Sequence, residues 1–236
     1  SMATPVGQAP DTTRVAVAPQ VPHPAGALPY RIDQSRGDTL LLWPSWSPRS
    51  FVPDTALWDR DRLVQVLDGA RHEVVAQFLS YGLGERRLRD DALDRALRRA
   101  AARGVRVRLI ASDWQAGAGL AALQELARLP GIEVRLSTVP EWSGGYIPFA
   151  RVEHCKYAVA DTLLTWLGTS NWSPDYFHAS RNLAVTMRNR PLARRARAVF
   201  ETSWRAPGAA PLAPDSAYAP RIHGEETPPG RTRYGG

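Results

Sequence analysis

A chain of 236 residues that is 44% hydrophobic and 22% charged can bury the core of one large or two small domains, which excludes wholesale disorder. No apolar run reaches the roughly 18–20 residues of a bilayer-spanning helix, and a single cysteine excludes an intramolecular disulfide framework and a cysteine-cluster zinc site. The net charge of +7 suits an anionic substrate, nucleic acid or a phospholipid surface, although arginine-rich codon usage gives the same number.

The elements follow in chain order. Residues 1–37 carry Pro5, Pro10, Pro19, Pro22, Pro24 and Pro29 and read as a flexible arm or linker. The opening Ser1-Met2 pair reads as a cloning remnant, and the polar stretch behind it lacks the form of a signal peptide. Residues 60–71 place Leu63, Val64, Leu67 and Ala70 at helical spacing, and 73–80 read as a buried strand. Residues 86–103 set Leu88, Ala92, Leu93, Ala96, Leu97 and Ala100 on one helical stripe, with Gly104 as the stop. A strand over 105–111, a helix over 120–129 halted by Pro130-Gly131, and a strand over 132–139 come next. A hairpin of 152–160 and 163–167 turning at Asp161-Thr162 precedes a strand at 183–187 and a helix at 191–204. Residues 206–236, again rich in proline and glycine, read as a flexible tail. The order predicts an α/β sandwich with a mixed β-sheet flanked by helices, confined to residues 38–205.

The chemistry concentrates in Glu153-His154-Cys155-Lys156-Tyr157. All but one of the 30 basic residues are arginine, and Lys156 is the exception, so this position needs a compact ammonium rather than a guanidinium fork. On a strand, His154 and Lys156 would share a face about 6.5–7 Å apart, with Cys155 and Tyr157 turned away. An imidazole beside an ammonium is unfavourable unless an anion sits between them. A phosphoryl group fits, the lysine neutralising an oxygen while the histidine attacks phosphorus or protonates the leaving oxygen. Asp161 has the opposite parity and suits a supporting role at the turn. Thr169, Ser170 and Asn171, after Gly168, offer donors to phosphate oxygens at the end of the partner strand. Trp172, Tyr176 and Phe177 could stack on bases or pack beneath the loop. Cys155 is expected to be a small core residue. No acidic or histidine cluster shows metal-ligand spacing, so neither zinc nor magnesium is expected.

His154-x-Lys156-x4-Asp161 followed by Gly168-Thr169-Ser170-Asn171 resembles the HKD signature of the phospholipase D superfamily. The run from Ile147 to Tyr157, with Leu167 to Ser173 and Asp175-Tyr176-Phe177, is similar to the second half of the endolysosomal 5′-exonuclease branch, family members three and four. That resemblance spans about residues 40–205. It implies a metal-independent, cofactor-free phosphodiesterase working through a phosphohistidine. The implied substrate is single-stranded DNA or RNA, with a phospholipid or a phosphate-binding non-catalytic half-domain as alternatives. It also implies two HKD motifs per active site, whereas His23, His72, His178 and His223 have no lysine two residues on. The second motif is therefore expected from a homodimer mate or from a separate N-terminal half, and the family implies a periplasmic or secreted location. Where many superfamily members carry a histidine-orienting carboxylate, this chain has Ser180-Arg181-Asn182-Leu183-Ala184-Val185, which leaves the orienting group unassigned.

Overall fold

The computed structural model describes residues 28–34, 38–117, 119–219 and 224–234. Most of the proline-rich arm, His23 and His223 lie outside the described residues. The elements are β1 (Tyr30–Asp33), β2 (Thr39–Ser47), α1 (Asp59–Gly69), β3 (Glu73–Phe78), α2 (Ala92–Ala102), β4 (Arg106–Ser112) and α3 (Leu120–Ala127). They continue through β5 (Ile132–Ser137), β6 (Tyr157–Ala160), β7 (Leu164–Gly168), α4 (Pro174–His178), β8 (Asn182–Arg188), α5 (Arg190–Arg205) and β9 (Ala209–Pro211). Among the described residues the nine strands form one mixed sheet in the order β1-β2-β8-β7-β6-β3-β4-β5-β9. β3, β4 and β5 run parallel, and every other pairing is antiparallel.

The alternation of side chains along a strand divides the interior in two. Val74, Ala76 and Phe78 of β3 join Val107, Leu109 and Ala111 of β4 in a large core under α1, α2 and α3. Val75 and Ile110 point the other way and pack with Tyr157 and Val159 against Phe200 and Trp204 of α5. β3 is thus buried on both faces and reads as a near-continuous apolar run, whereas β5 alternates and keeps Glu133 exposed. The helical stripe of α2 is buried as its spacing dictates, with Ala96, Leu97 and Ala100 fully enclosed. Gly104 follows it at φ 84°, a left-handed conformation that glycine adopts at little cost.

Two features depart from the sequence reading. The sheet reaches past residues 38–205 on both sides: β1 pairs with β2, and β9 adds to the edge of β5. Leu212 is buried behind β9, and the Tyr146 amide donates to the Thr232 carbonyl at 2.8 Å. The unpaired amides and carbonyls of an edge strand recruit whatever chain lies alongside, and three residues of Ala-Ala-Pro carry no strand pattern of their own.

The second departure concerns the hairpin. Its turn does fall at Asp161-Thr162, both left-handed with φ of 54° and 49°, within a three-residue loop, 161–163, that joins the pair Ala160 and Leu164. Its first strand, however, begins only at Tyr157. Glu153 accepts a hydrogen bond from the Ser137 hydroxyl at the end of β5 (3.2 Å), while Tyr157 pairs with Gln77 of β3. Since β4 and β3 lie between β5 and β6, residues 153–157 cross three inter-strand steps of about 4.8 Å each, which four extended residues just span. They form a connector over the strand ends rather than part of a ladder.

Candidate active site

One edge of the sheet gathers the carboxyl ends of β3, β4, β5 and β7 with the first residues of β6 and β8. That is where α/β sheets place ligands, because the loops leaving those ends are free to diverge. His154 rides on the connector that crosses this edge and is exposed. No side-chain hydrogen bond engages its imidazole among the described residues. Partial burial, and then the Lys156 ammonium, lower the pKa of the imidazole and so favour its neutral form.

Lys156 is buried, and its Nζ donates to the His154 carbonyl oxygen at 2.9 Å. Burial lowers its pKa. Strand parity therefore does not describe this pair: the imidazole faces solvent while the ammonium reaches back beneath the same turn of chain. The Lys156 carbonyl in turn accepts from the Gly168 amide at 3.1 Å. This bond seats the 168–171 loop directly beside the lysine, as the hairpin pairing predicts.

Within that loop the roles divide. The Thr169 hydroxyl donates to Asn182 Oδ1 at 2.9 Å and accepts from the Leu183 amide at 3.2 Å, fastening the loop to β8. Ser170 is fully buried, and its hydroxyl donates to Asp59 at 3.0 Å. Its proton is thus spent on the scaffold rather than on a ligand. Asn171 is also buried, and its Oδ1 has no partner. An orphaned buried amide oxygen is costly, and here it marks the loop residue whose side chain the scaffold does not use.

Asp59 is the residue that sequence reasoning missed. At the first turn of α1, fully buried, it accepts from Ser45 at 3.0 Å, Trp166 Nε1 at 2.8 Å and Ser170 at 3.0 Å. Burial raises its pKa, and the three donors oppose the rise. It ties α1, β2, β7 and the 168–171 loop into one network beneath the site. Its only sequence signal was a carboxylate at a helix start, which the helix dipole favours anyway.

Asp161 lies at the opposite end of β6. Its carboxylate accepts from the amides of Arg71, His72 and Glu73 at 2.8, 2.8 and 3.0 Å, clamping the hairpin turn to the entrance of β3. Burial raises its pKa, but the three amides more than offset this and the net shift is downward. It stands at the end of β6 away from His154 and holds the hairpin turn against residues 71–73.

Three expectations are corrected. Trp172, a candidate for base stacking, is 1% exposed and packs between Phe78 and Trp166, with ring centroids at 4.8 and 6.4 Å. Phe177 is sunk in the same core. Tyr176 is half-buried on α4, its carbonyl accepting from Asn182 Nδ2 at 2.8 Å. Cys155, expected in the core, is exposed, because the connector is not a strand. Partial burial of its sulfur and the neighbouring Glu153 push the thiol up to about 11, which makes it a poor nucleophile. Glu153, next to the exposed His154, is buried against Ser137. Of the other described histidines, His178 pairs with Asp90 at 2.6 Å and His72 lies at the Asp161 clamp. His178, on α4 between the end of β7 and the start of β8, lies on the same edge as His154 but is held by that carboxylate, whereas His72 precedes β3 at the opposite edge.

With this geometry in place, comparison with known proteins is informative. Residues 63–204 match the family described as cardiolipin synthase, PLD-like domain. Among curated relatives, phospholipase D Z of Dictyostelium discoideum is 32% identical over 174 residues, 70% of this chain and 41% of the relative. The 5'-3' exonuclease PLD3 of Bos taurus is 35% identical over 188 residues, 72% of this chain and 38% of the relative. The chain thus spans about two fifths of the length of these relatives. NucT from Helicobacter pylori superposes with a TM-score of 0.58 at 18% identity, covering 72% of this chain and 99% of that one. Nuc from Salmonella typhimurium, a phospholipase D family member, gives 0.58 at 18% identity over 73% of this chain and 98% of that one. At that identity the two structures speak for the fold, and the family match over residues 63–204 speaks for descent: the chain belongs to the phospholipase D-like family.

Proposed function

We propose that this chain contributes one half of a phosphodiesterase active site, and that the enzyme so completed is a 5′-exonuclease on single-stranded DNA or RNA. The observation that carries the proposal is the exposed, unpartnered imidazole of His154 above a buried lysine, at the edge where the 168–171 loop turns. In the reaction, a ring nitrogen of neutral His154 attacks phosphorus, forming a P–N bond as the P–O bond to the leaving alkoxide breaks. The second histidine, from another His-Lys pair, protonates that alkoxide and then takes a proton from the water that cleaves the phosphohistidine. If His154 is instead the acid, the two histidines exchange these roles. Lys156 and Asn171 offset charge on the non-bridging oxygens.

The nuclease reading draws support from the exonuclease name carried by relatives such as that of Bos taurus. The family description, which names a lipid enzyme, favours the same chemistry on a phospholipid headgroup. Competing a single-stranded oligonucleotide against phospholipid vesicles, in wild type and in His154→Ala, separates the two. The expected outcome is oligonucleotide cleavage falling by about 10²–10⁴-fold in the variant, with no lipid turnover. Unchanged cleavage in His154→Ala would overturn the assignment.

A further inference from the structure

The aromatic residues singled out by sequence for stacking are largely core residues, which leaves open what a substrate's bases would rest on. A different pair lies on the His154 edge. Trp114 sits in the tight turn Asp113–Ala116 directly after β4, one of the two strands whose ends the His154 connector crosses. Its amide is held by the Ser112 hydroxyl at 3.3 Å. Phe149, five residues before His154, meets the Trp114 indole edge to face, with ring centroids 6.4 Å apart and planes at 67°.

Phe149 is 55% exposed, although its segment is held rather than loose. Phe149 and Arg151 adopt φ of 54° and 57°, left-handed conformations that cost non-glycine residues about 1–3 kcal/mol each. The Arg151 guanidinium donates to the Pro140 carbonyl at 2.6 Å, and the Ala150 amide bonds the Ile147 carbonyl at 3.3 Å. The chain bends twice into unfavourable backbone here, yet leaves more than half of the Phe149 ring in solvent, with an edge-to-face contact to Trp114. Strain maintained in this way clusters at ligand sites.

We propose that Phe149, braced by Trp114, is a nucleobase-stacking platform beside His154, and that it selects single-stranded nucleic acid as the diester. The proposal rests on the phosphodiesterase reading above and names the substrate-recognising group of that site. A base gains from a single π face, which one braced ring supplies, whereas an acyl chain gains from enclosure by several apolar walls. Arg151, exposed and two residues along, adds a positive charge for the adjoining phosphate.

The test uses the full chain carrying His154→Asn to prevent turnover, with binding of two eight-nucleotide single-stranded DNAs read by fluorescence anisotropy. One DNA is intact and the other abasic throughout. Phe149→Ala and Phe149→Leu are expected to weaken the intact strand about tenfold, and Phe149→Trp to retain binding. The abasic strand should bind weakly and equally to all. Near-UV circular dichroism checks that the exposed substitution leaves the fold intact. Unchanged affinity for the intact strand, or equal loss on both strands, overturns the platform while leaving the nuclease reading standing. Failure of every form to hold either strand overturns both readings. A loss confined to phosphatidylglycerol vesicles would assign Phe149 to a lipid surface and also overturn the proposal.

Discussion

At His154 and Lys156 the identity of the residues was legible but their orientation was not. The motif spacing, and the survival of one lysine among 30 basic residues, pointed to the pair. The strand assumed for them fails because the connector leaves the sheet, which no local pattern announces. The buried Nζ on the His154 carbonyl also fits the persistence of lysine: a guanidinium is larger and planar and would have to be accommodated in a buried position. Lys156→Arg keeps the charge but moves it from the position of the compact ammonium, and is expected to lower kcat/KM by about 10²-fold, the loss of one preorganised donor at the phosphoryl group. The same lysine holds the His154 pKa down. Removing a neighbouring cation favours the imidazolium, so in Lys156→Met the His154 ring must titrate at higher pH than in wild type. Proton NMR of the ring reads this directly, and an unchanged titration would mean the two groups do not interact.

At the level of elements, the β6–β7 hairpin was placed correctly because Asp161-Thr162 carries its own turn chemistry. The depth to which Asp161 works was not visible, since its three amide donors come from residues 71–73, some 90 positions earlier. Replacing it by alanine leaves those amides unsatisfied and puts a plain side chain at φ 54°, with an expected loss of about 1–3 kcal/mol. Asp161→Asn keeps an acceptor and tolerates the left-handed backbone, so it should lose less. The pH dependence follows from the downward shift. Stabilisation by the ionised carboxylate is fully present above the ordinary aspartate range and is lost as pH falls through the depressed folded value. The melting-temperature gap between wild type and Asp161→Ala should therefore close in acid. A gap that persists there would assign the effect to the turn backbone alone. Asp59 shows the same limit: Ser45, Trp166 and Ser170 meet it only in the folded chain.

For the whole molecule, the mixed sheet and the helices on its faces followed from alternating periodicities, whereas β1 and β9 did not, because short edge strands are defined by their neighbours. The site shows a similar dependence on a neighbour. A single exposed imidazole can attack phosphorus, but the leaving oxygen then needs an acid; of the other described histidines, His178 is held by Asp90 and His72 lies at the opposite sheet edge. His154 should thus work only opposite a second His-Lys pair. Light scattering across a gel-filtration peak, with single-strand cleavage assayed in the same fractions, tests this. Cleavage is expected only in species that contain two such pairs, a dimer of this chain or its complex with a partner half, and none in the His154→Ala dimer. Full activity in a monomeric fraction would contradict it.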